Sequence, residues 1–179
     1  MSPGVVVHLE SRAFAESAVR ASLARILAET ELASLATVAP GHRAHISTAF
    51  VAYSRDLEFY FLSDPASTHA QNLIRNPSMA MTIFRSSQRW GGEDSGAQLF
   101  GTARRATGAR AQQASRHYGR RFPLYARWTR GRLAEERLLA DGLKTLSFFR
   151  FVPDRVRVLD EGRFGVATFV TASIRPARR

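Results

Sequence analysis

The 179-residue sequence contains no cysteine, and Lys144 is its only lysine. A chain without cysteine can form neither a disulfide framework nor a thiolate metal site. The sequence also lacks an apolar run close to the roughly 18 residues that a membrane-spanning helix needs. Its first residues lack the basic flank and apolar core of a signal peptide. We therefore expect a soluble cytoplasmic protein with no membrane partner and no metal site.

Acidic residues are missing from one long stretch of this basic chain. The net charge is +11, and nine arginines but no Asp or Glu lie between Arg104 and Arg132. Such a run is most often a solvated face, sometimes a surface for an acidic ligand or partner, and only occasionally a nucleic-acid interface. No RNP-like aromatic pattern, zinc-ligand set or helix-turn-helix glycine accompanies it. We therefore rank nucleic-acid binding last among the candidate functions.

The length of the chain suits one ordinary domain, which can bury a core without covalent cross-links. We predict a single domain over residues 1–179. Its N-terminal helix is predicted at 10–29, where apolar residues recur at helical spacing. A helical insertion is predicted at about 107–140, an alanine-rich segment that Pro123 and Gly131 interrupt.

Alternation of apolar and polar residues predicts the strands, and turn residues such as Pro40-Gly41 separate them. Strands are predicted at 31–39, 44–53, 57–63, 78–85 and 97–106, with two further short strands on either side of Pro153-Asp154. About six or seven strands with short helices between them indicate a mainly β fold with flanking helices (α+β). Its architecture is expected to be a small antiparallel barrel or sandwich.

The stretch "DPASTHAQNLIRNP", residues 64–77, has helix punctuation at both ends. Ser67 or Thr68 is a suitable N-cap, Thr68 and Gln71 match a capping box, and Asn76-Pro77 stops the helix. A second interpretation is an anion site, because first-turn N–H groups and the helix dipole favour negative charge. The hydroxyls and His69 would add donors, and phosphate is the obvious ligand. Spacing alone favours capping, since caps occur on most helices and phosphate sites on few.

The order of the segments decides between them. "LEFYFLSD", "ASTHAQNLIR", "NPSMAMTIF" and "GAQLFGTARRA" follow one another within about residues 30–106. This order resembles the pyridoxamine 5′-phosphate oxidase-like, FMN-binding split-barrel family. Further along, "HYGRRFPLYAR" and the "RFG" of 163–165 are similar to a less-studied branch of the same superfamily. The resemblance implies an antiparallel split β-barrel and a homodimer with the cofactor at its interface.

The resemblance also implies a cofactor site on the second strand, the following strand end and the helix after it. Backbone groups of Ser47, Thr48 and Ala49 would meet the isoalloxazine edge, and Leu62 and Ser63 would end the next strand at the ribityl-phosphate. Ser67, Thr68 and His69 would hold the phosphate, and Gln98 would hydrogen-bond a flavin nitrogen or carbonyl. Trp90 would cover a flavin face; its alternatives are a core plug or a dimer contact.

The sequence departs from the family at its cationic positions. The oxidase proper carries an arginine and a lysine where this chain has Ser47 and Ala52, and an Arg-Lys pair where it has Thr68-His69. Loss of these cations weakens phosphate binding, since charge-assisted hydrogen bonds are the strong ones. We therefore do not predict pyridoxamine phosphate oxidation, and no catalytic residue is assigned.

Three functions follow. The leading hypothesis is an FMN-dependent oxidoreductase that transfers hydride between the flavin and a small organic substrate. The alternative is a non-catalytic split barrel that binds haem, a deazaflavin or another small ligand, and the third is a nucleic-acid binder. His42 and His45 are predicted to be surface or structural residues, and His117 is predicted to lie on a solvated helix face.

Overall fold

The structure is a computed structural model that describes residues 5–10, 13–131 and 133–176. Its described residues form nine antiparallel strands and six α-helices. The strands are β1 (Val5–Leu9), β2 (Leu32–Ala39), β3 (Arg43–Phe50), β4 (Ala52–Tyr53), β5 (Phe59–Ser63), β6 (Ser78–Phe84), β7 (Ser95–Arg105), β8 (Ser147–Asp160) and β9 (Phe169–Pro176). The helices are α1 (Glu16–Glu29), α2 (Thr68–Arg75), α3 (Gly108–Arg121), α4 (Pro123–Trp128), α5 (Ala134–Lys144) and α6 (Glu161–Phe164).

The strands form one sheet in the order β1-β9-β8-β7-β6-β2-β3, with β4 and β5 attached at the side. Strand β8 pairs with β7 along one edge. Its other edge is divided, because β5 pairs with its first five residues and β9 with residues Arg155–Leu159. The predicted mainly β, α+β fold is confirmed.

The prediction that Pro153-Asp154 separates two short strands is wrong, because β8 runs through both residues. Phe100 of β7 pairs with Arg155 and Gly101 pairs with Pro153, so Asp154 is an extra residue. This arrangement is a β-bulge, which accommodates a proline that cannot donate a ladder hydrogen bond.

The chain termini contain more regular structure than the sequence predicts. Helix α1 begins at Glu16 rather than at residue 10, and β1 precedes it; residues 11 and 12 of the predicted helix lie outside the described ranges. Beyond residue 160, the predicted tail contains α6 and β9. The helical insertion consists of α3, α4 and α5. Within the described ranges, no helix is both long and apolar enough to cross a membrane.

Two apolar clusters lie on opposite faces of β5 and β8. The inner cluster joins Phe59, Phe61, Phe149 and Phe151 to the apolar face of α1. Alternate residues of the same strands point the other way. There Tyr60 and Phe148 pack against Ala114 and Tyr118 of α3. Helix α1 therefore closes the interior of the sheet, and α3 covers one part of its outer face.

Gly101 lies at the bulge, where the two backbones approach closely. A Cβ at this position would lie 2.6 Å from Pro153 Cα and closer still to the Val152 carbonyl oxygen. Gly101→Ala should therefore destabilise the protein by about 3 kcal/mol, the upper end for overpacking. Urea unfolding measures this free energy. Gly142→Ala is the control, since its Cβ would meet nothing within 4 Å in α5 and alanine favours a helix. A Gly101→Ala variant as stable as the parent would contradict this account of the bulge.

Candidate functional site

Strands β3 and β5 diverge beside the short strand β4. The two residues of β4 pair with the start of β5. If this ladder continued, Ala49 of β3 would lie opposite Ser63 at the end of β5. The ladder ends after two pairs, however, and β3 pairs along its length with β2 on its other edge. We call the space bounded by β3, the end of β5 and the first turn of α2 the β3–β5 gap.

Three predicted phosphate-site side chains meet at the end of β5. Ser63 Oγ lies 2.9 Å from Ser67 Oγ and 2.6 Å from His69 Nε2. Ser67 Oγ and His69 Nε2 are 3.4 Å apart. The end of β5 supplies Ser63, the N-cap position of α2 supplies Ser67, and the first turn of α2 supplies His69. We call this group the Ser63–Ser67–His69 cluster.

The predicted capping box of α2 is wrong. Ser67 occupies the N-cap position with extended backbone dihedrals, but no side chain caps the helix. Gln71 Nε2 donates to the Pro65 carbonyl oxygen at 2.8 Å instead. The Ser67 hydroxyl is engaged by Ser63 and His69. The first-turn N–H groups of α2 consequently have no side-chain acceptor.

The imidazole of His69 is held in its neutral form. Burial lowers its pKa from the ordinary value of 6.5, and the nearby His45 lowers it further. His45 belongs to a second polar group in the same region: its Nδ1 lies 3.4 Å from Thr37 Oγ1, to which Asn72 Nδ2 donates at 3.1 Å. The β3–β5 gap is therefore bordered by neutral hydroxyl, amide and imidazole groups.

Ser47 has a buried hydroxyl that finds no partner within the described residues. A buried polar group without a hydrogen bond costs about 1–3 kcal/mol. The next two residues of β3 differ in solvent exposure: Thr48 is exposed on the opposite face of the strand, and Ala49 is half-buried. Leu62, on β5, directs its side chain to the cluster under α3. Only the backbone of Leu62 borders the gap.

Gln98 lies on the outer face of the sheet, and within one chain it does not join the Ser63–Ser67–His69 cluster. Thr48 and Thr82 both pair with Ser34, and Thr82 pairs with Gln98. Strands β2 and β6 therefore separate Gln98 from β3, a spacing of about 14 Å across the sheet. The side-chain oxygen of Gln98 accepts a hydrogen bond from Arg157 Nη1 at 3.3 Å.

Trp90 is completely exposed in the loop between β6 and β7. The alternative that it plugs the core is therefore wrong. Neither a ring contact nor a hydrogen bond involves this side chain in the part of the chain that the structure describes. Its other two predicted roles, a flavin contact and a dimer contact, are untested by a single chain.

The sequence analysis missed an apolar outer surface. Leu32, Ile46, Phe50 and Phe84 are 46%, 71%, 50% and 47% exposed on β2, β3 and β6. A strand with one face in water normally alternates apolar and polar residues. These strands carry apolar residues on both faces, and that pattern could have revealed the surface. We call these four residues the outer apolar patch.

Comparisons with known proteins agree with this architecture. The sequence model of the family described as pyridoxamine 5′-phosphate oxidase matches residues 19–160. No curated protein matches the sequence significantly. One similar structure is a provisionally named pyridoxamine 5′-phosphate oxidase from Listeria innocua. It is 16% identical with a TM-score of 0.59, and the alignment covers 79% of this chain and 98% of that one.

Two other similar structures have names that refer to haem. A haem-binding protein from Mycobacterium smegmatis is 17% identical with a TM-score of 0.66, over 90% of this chain and 59% of that one. HutZ, the haem storage protein from Vibrio cholerae, is 18% identical with a TM-score of 0.57, over 74% of this chain and 88% of that one. At such identities the similarity establishes the fold alone. The predicted split-barrel fold and family are confirmed.

The lowered pKa of His69 leads to a pH-dependent stability. Because the folded-state pKa lies below the unfolded value of about 6.5, the unfolded chain takes up the proton first as the pH falls. Above about pH 6.5 the ring is neutral in both the folded and the unfolded chain, so its ionisation costs no stability. Below this pH the unfolded chain binds the proton more readily, and the free energy of unfolding falls. Urea unfolding at pH 7.5 and 5.5 should show a smaller loss for His69→Gln than for the parent. An NMR titration that places the His69 pKa above 6.5 would overturn this assignment.

Proposed function

Because this chain belongs to the pyridoxamine 5′-phosphate oxidase family, we propose that its β3–β5 gap binds FMN and that the protein is a flavin-dependent oxidoreductase. The observation that supports the proposal most directly is the Ser63–Ser67–His69 cluster at the start of α2. The hydroxyls and the imidazole lie beside N–H groups that lack side-chain acceptors. This combination of donors suits a phosphate group.

The phosphate would be held mainly by neutral donors. The first turn of α2 contributes N–H groups and the positive end of the helix dipole. Ser67 and His69 would exchange their hydrogen bonds with Ser63 for hydrogen bonds with the ligand. A phosphate dianion would favour the protonated form of the His69 imidazole, whereas burial disfavours that form. With no Arg or Lys at 68 and 69, this binding is weaker than charge-assisted binding.

The isoalloxazine ring would lie along β3. The β3 edge that faces the gap forms no ladder within the described residues, so its backbone groups near Ser47 and Ala49 can pair with the polar edge of a ring. The buried Ser47 hydroxyl would gain the partner that it lacks. When bound, FMN would supply hydride transfer to or from a small organic substrate. The chain would bind the ring, orient it and exclude water.

A homodimer formed through the outer apolar patch would complete this site. An exposed apolar patch marks an interaction surface, and two copies related by a twofold axis would each cover the patch of the other. Gln98 and Thr48 share the same outer face, so this association would bring the partner's Gln98 toward β3. The predicted role of Gln98 at the ring therefore depends on the dimer.

Haem binding is the second candidate function. His45 and His69 both border the β3–β5 gap, and histidine is a common axial ligand of haem iron. Two proteins of the same fold have names that refer to haem. A visible absorption spectrum of the purified protein separates the candidates, since flavin, deazaflavin and haem have different bands.

The phosphate assignment predicts a change in ligand preference. Ser67→Ala combined with His69→Ala should reduce the preference for FMN over riboflavin at least about tenfold, because a hydrogen bond to a charged group contributes about 1.5–3 kcal/mol. Quenching of flavin fluorescence at fixed salt measures both affinities. The control is Ser115→Ala with His117→Ala, a serine and histidine of α3 outside the gap. An unchanged preference would remove the cluster from the site. A parent protein that binds no flavin would favour haem or another ligand.

The dimer proposal predicts dissociation when a charge enters the outer apolar patch. Phe84→Asp should convert the dimer to a monomer at micromolar concentration, since the patch would then bury an unpaired carboxylate. Sedimentation equilibrium measures the mass. Leu138→Asp on α5 is the control, because this leucine is 75% exposed outside the patch. A parent protein that is monomeric with its cofactor bound would contradict the proposal.

A further inference from the structure

Two cavities meet at the turn between β4 and β5, at the end of β5 opposite the Ser63–Ser67–His69 cluster. One has a volume of about 260 Å³ and the other about 830 Å³. Tyr53, Ser54 and Arg55 line both of them, so the cavities adjoin across this turn. Their chemical characters differ.

The smaller cavity is apolar and lies between α1, β1 and the turn. Most of its wall is contributed by Val7, Val19, Leu23, Leu27, Leu57 and Val156. Arg20 also lines it and forms an ion pair with Glu16 at 2.6 Å. A cavity of roughly 150 Å³ lined by apolar residues can bind benzene. At 260 Å³ this cavity has room for an aromatic ring with a short chain attached.

The larger cavity is basic and lies between the turn and α3. Arg55 and Arg120 are exposed there and form no ion pair with any described residue. Arg121 Nη2 donates to the Leu27 and Thr30 carbonyl oxygens, each at 2.7 Å, so it is held in place at the end of α1. Asp56 is the one acidic residue among the lining residues. The cavity therefore has a net positive charge.

His117 forms part of the same wall, and the prediction that it lies on a solvated helix face is wrong. Its ring is half-buried and stacks on Tyr60 with the centroids 5.2 Å apart. Burial lowers the pKa of His117, and the nearby Arg120 lowers it further. The Tyr60 hydroxyl donates to Glu58, which also forms an ion pair with Arg150. Of the arginines that line the two cavities, Arg55 and Arg120 are the two with neither an ion pair nor a hydrogen bond to a described residue, since Arg20 pairs with Glu16 and Arg121 donates to backbone carbonyls.

The turn that separates the cavities is strained. Leu57 has a φ of +54°, a conformation that non-glycine residues seldom adopt. Ser54 Oγ holds the turn by accepting the backbone N–H groups of Asp56 and Glu58, both at 3.2 Å. Residues held in such conformations cluster at ligand clamps and other functional sites. Leu57 itself lines the apolar cavity.

We propose that this double cavity binds a small amphipathic carboxylic acid. The apolar cavity takes an aromatic ring or short acyl chain, and the guanidinium groups of Arg55 and Arg120 pair with the carboxylate. The site differs from the β3–β5 gap, because four residues of β5, 59–62, separate Glu58 of the turn from Ser63, a distance of about 16 Å along the strand. The proposal therefore does not depend on FMN binding.

Isothermal titration calorimetry with 4-phenylbutyrate tests the proposal on the full chain. The parent should bind 4-phenylbutyrate at least about tenfold more tightly than the neutral 4-phenylbutanol. Arg55→Gln with Arg120→Gln should weaken binding of the acid about tenfold and leave the alcohol unchanged. Arg116→Gln, an exposed arginine of α3 outside the cavity, is the matched control and should change neither.

The apolar half is tested separately. Ala24→Trp at the exposed rim of the apolar cavity should block both ligands. Leu57→Gly removes one wall of the cavity and relieves the backbone strain, so it should weaken binding of both the acid and the alcohol. This second variant tests the apolar half if the tryptophan variant fails to fold. The proposal would be overturned if the parent bound the acid and the alcohol with equal affinity, or if the folded parent bound neither at millimolar concentration. It would also be overturned if the Ala24→Trp variant bound the acid as tightly as the parent and inorganic phosphate displaced the acid from it.

Discussion

One edge of β8 hydrogen-bonds to β5 along its first five residues and to β9 along Arg155–Leu159. An edge can pair with only one strand at each position, so the sheet must divide where one partner gives way to the other. The bulge at Asp154 lies at this point of β8, and bulges bend a strand and increase its twist. Strand β5 is thereby held away from the main order of strands. The divergence of β3 from β5, and the gap between them, depend on this division.

The gap is polar without being cationic. Its side-chain donors are hydroxyl, amide and imidazole groups, and burial holds His69 in the neutral form. Helix α3 carries four arginines, and one of them, Arg121, joins α3 to the end of α1. The two ends of β5 therefore meet different environments, with the Ser63–Ser67–His69 cluster at one end and the basic cavity at the other.

The local elements were predictable where their patterns were strong. The three strands predicted after α1 lie close to β2, to β3 with β4, and to β5, although the predicted strand at 44–53 is divided between β3 and β4. Helix α2 and the strands β6 and β7 also lie close to their predicted positions, because alternation and proline punctuation act within a few residues. The tail and the passage through Pro153 were not predicted correctly. Proline normally ends a strand, and here the pairing with β7 overrides that preference by forming a bulge. The predicted capping box of Thr68 and Gln71 failed because the helix begins at Thr68, so Ser67 occupies the N-cap position and the Gln71 amide donates to the Pro65 carbonyl oxygen.

The sequence by itself determined the fold class, through the alternation of apolar and polar residues, and the family, through the resemblance of its ordered segments to those of that family. Only the tertiary structure decided which side chains share a site. It brought Ser63, Ser67 and His69 together and left Gln98 about 14 Å across the sheet from β3. It also placed Ser54 of the turn and Arg120 of α3, more than sixty residues apart in the sequence, in the wall of the same cavity. Spacing along a chain does not encode such contacts, because they depend on how strands pair and on which face of the sheet each helix covers.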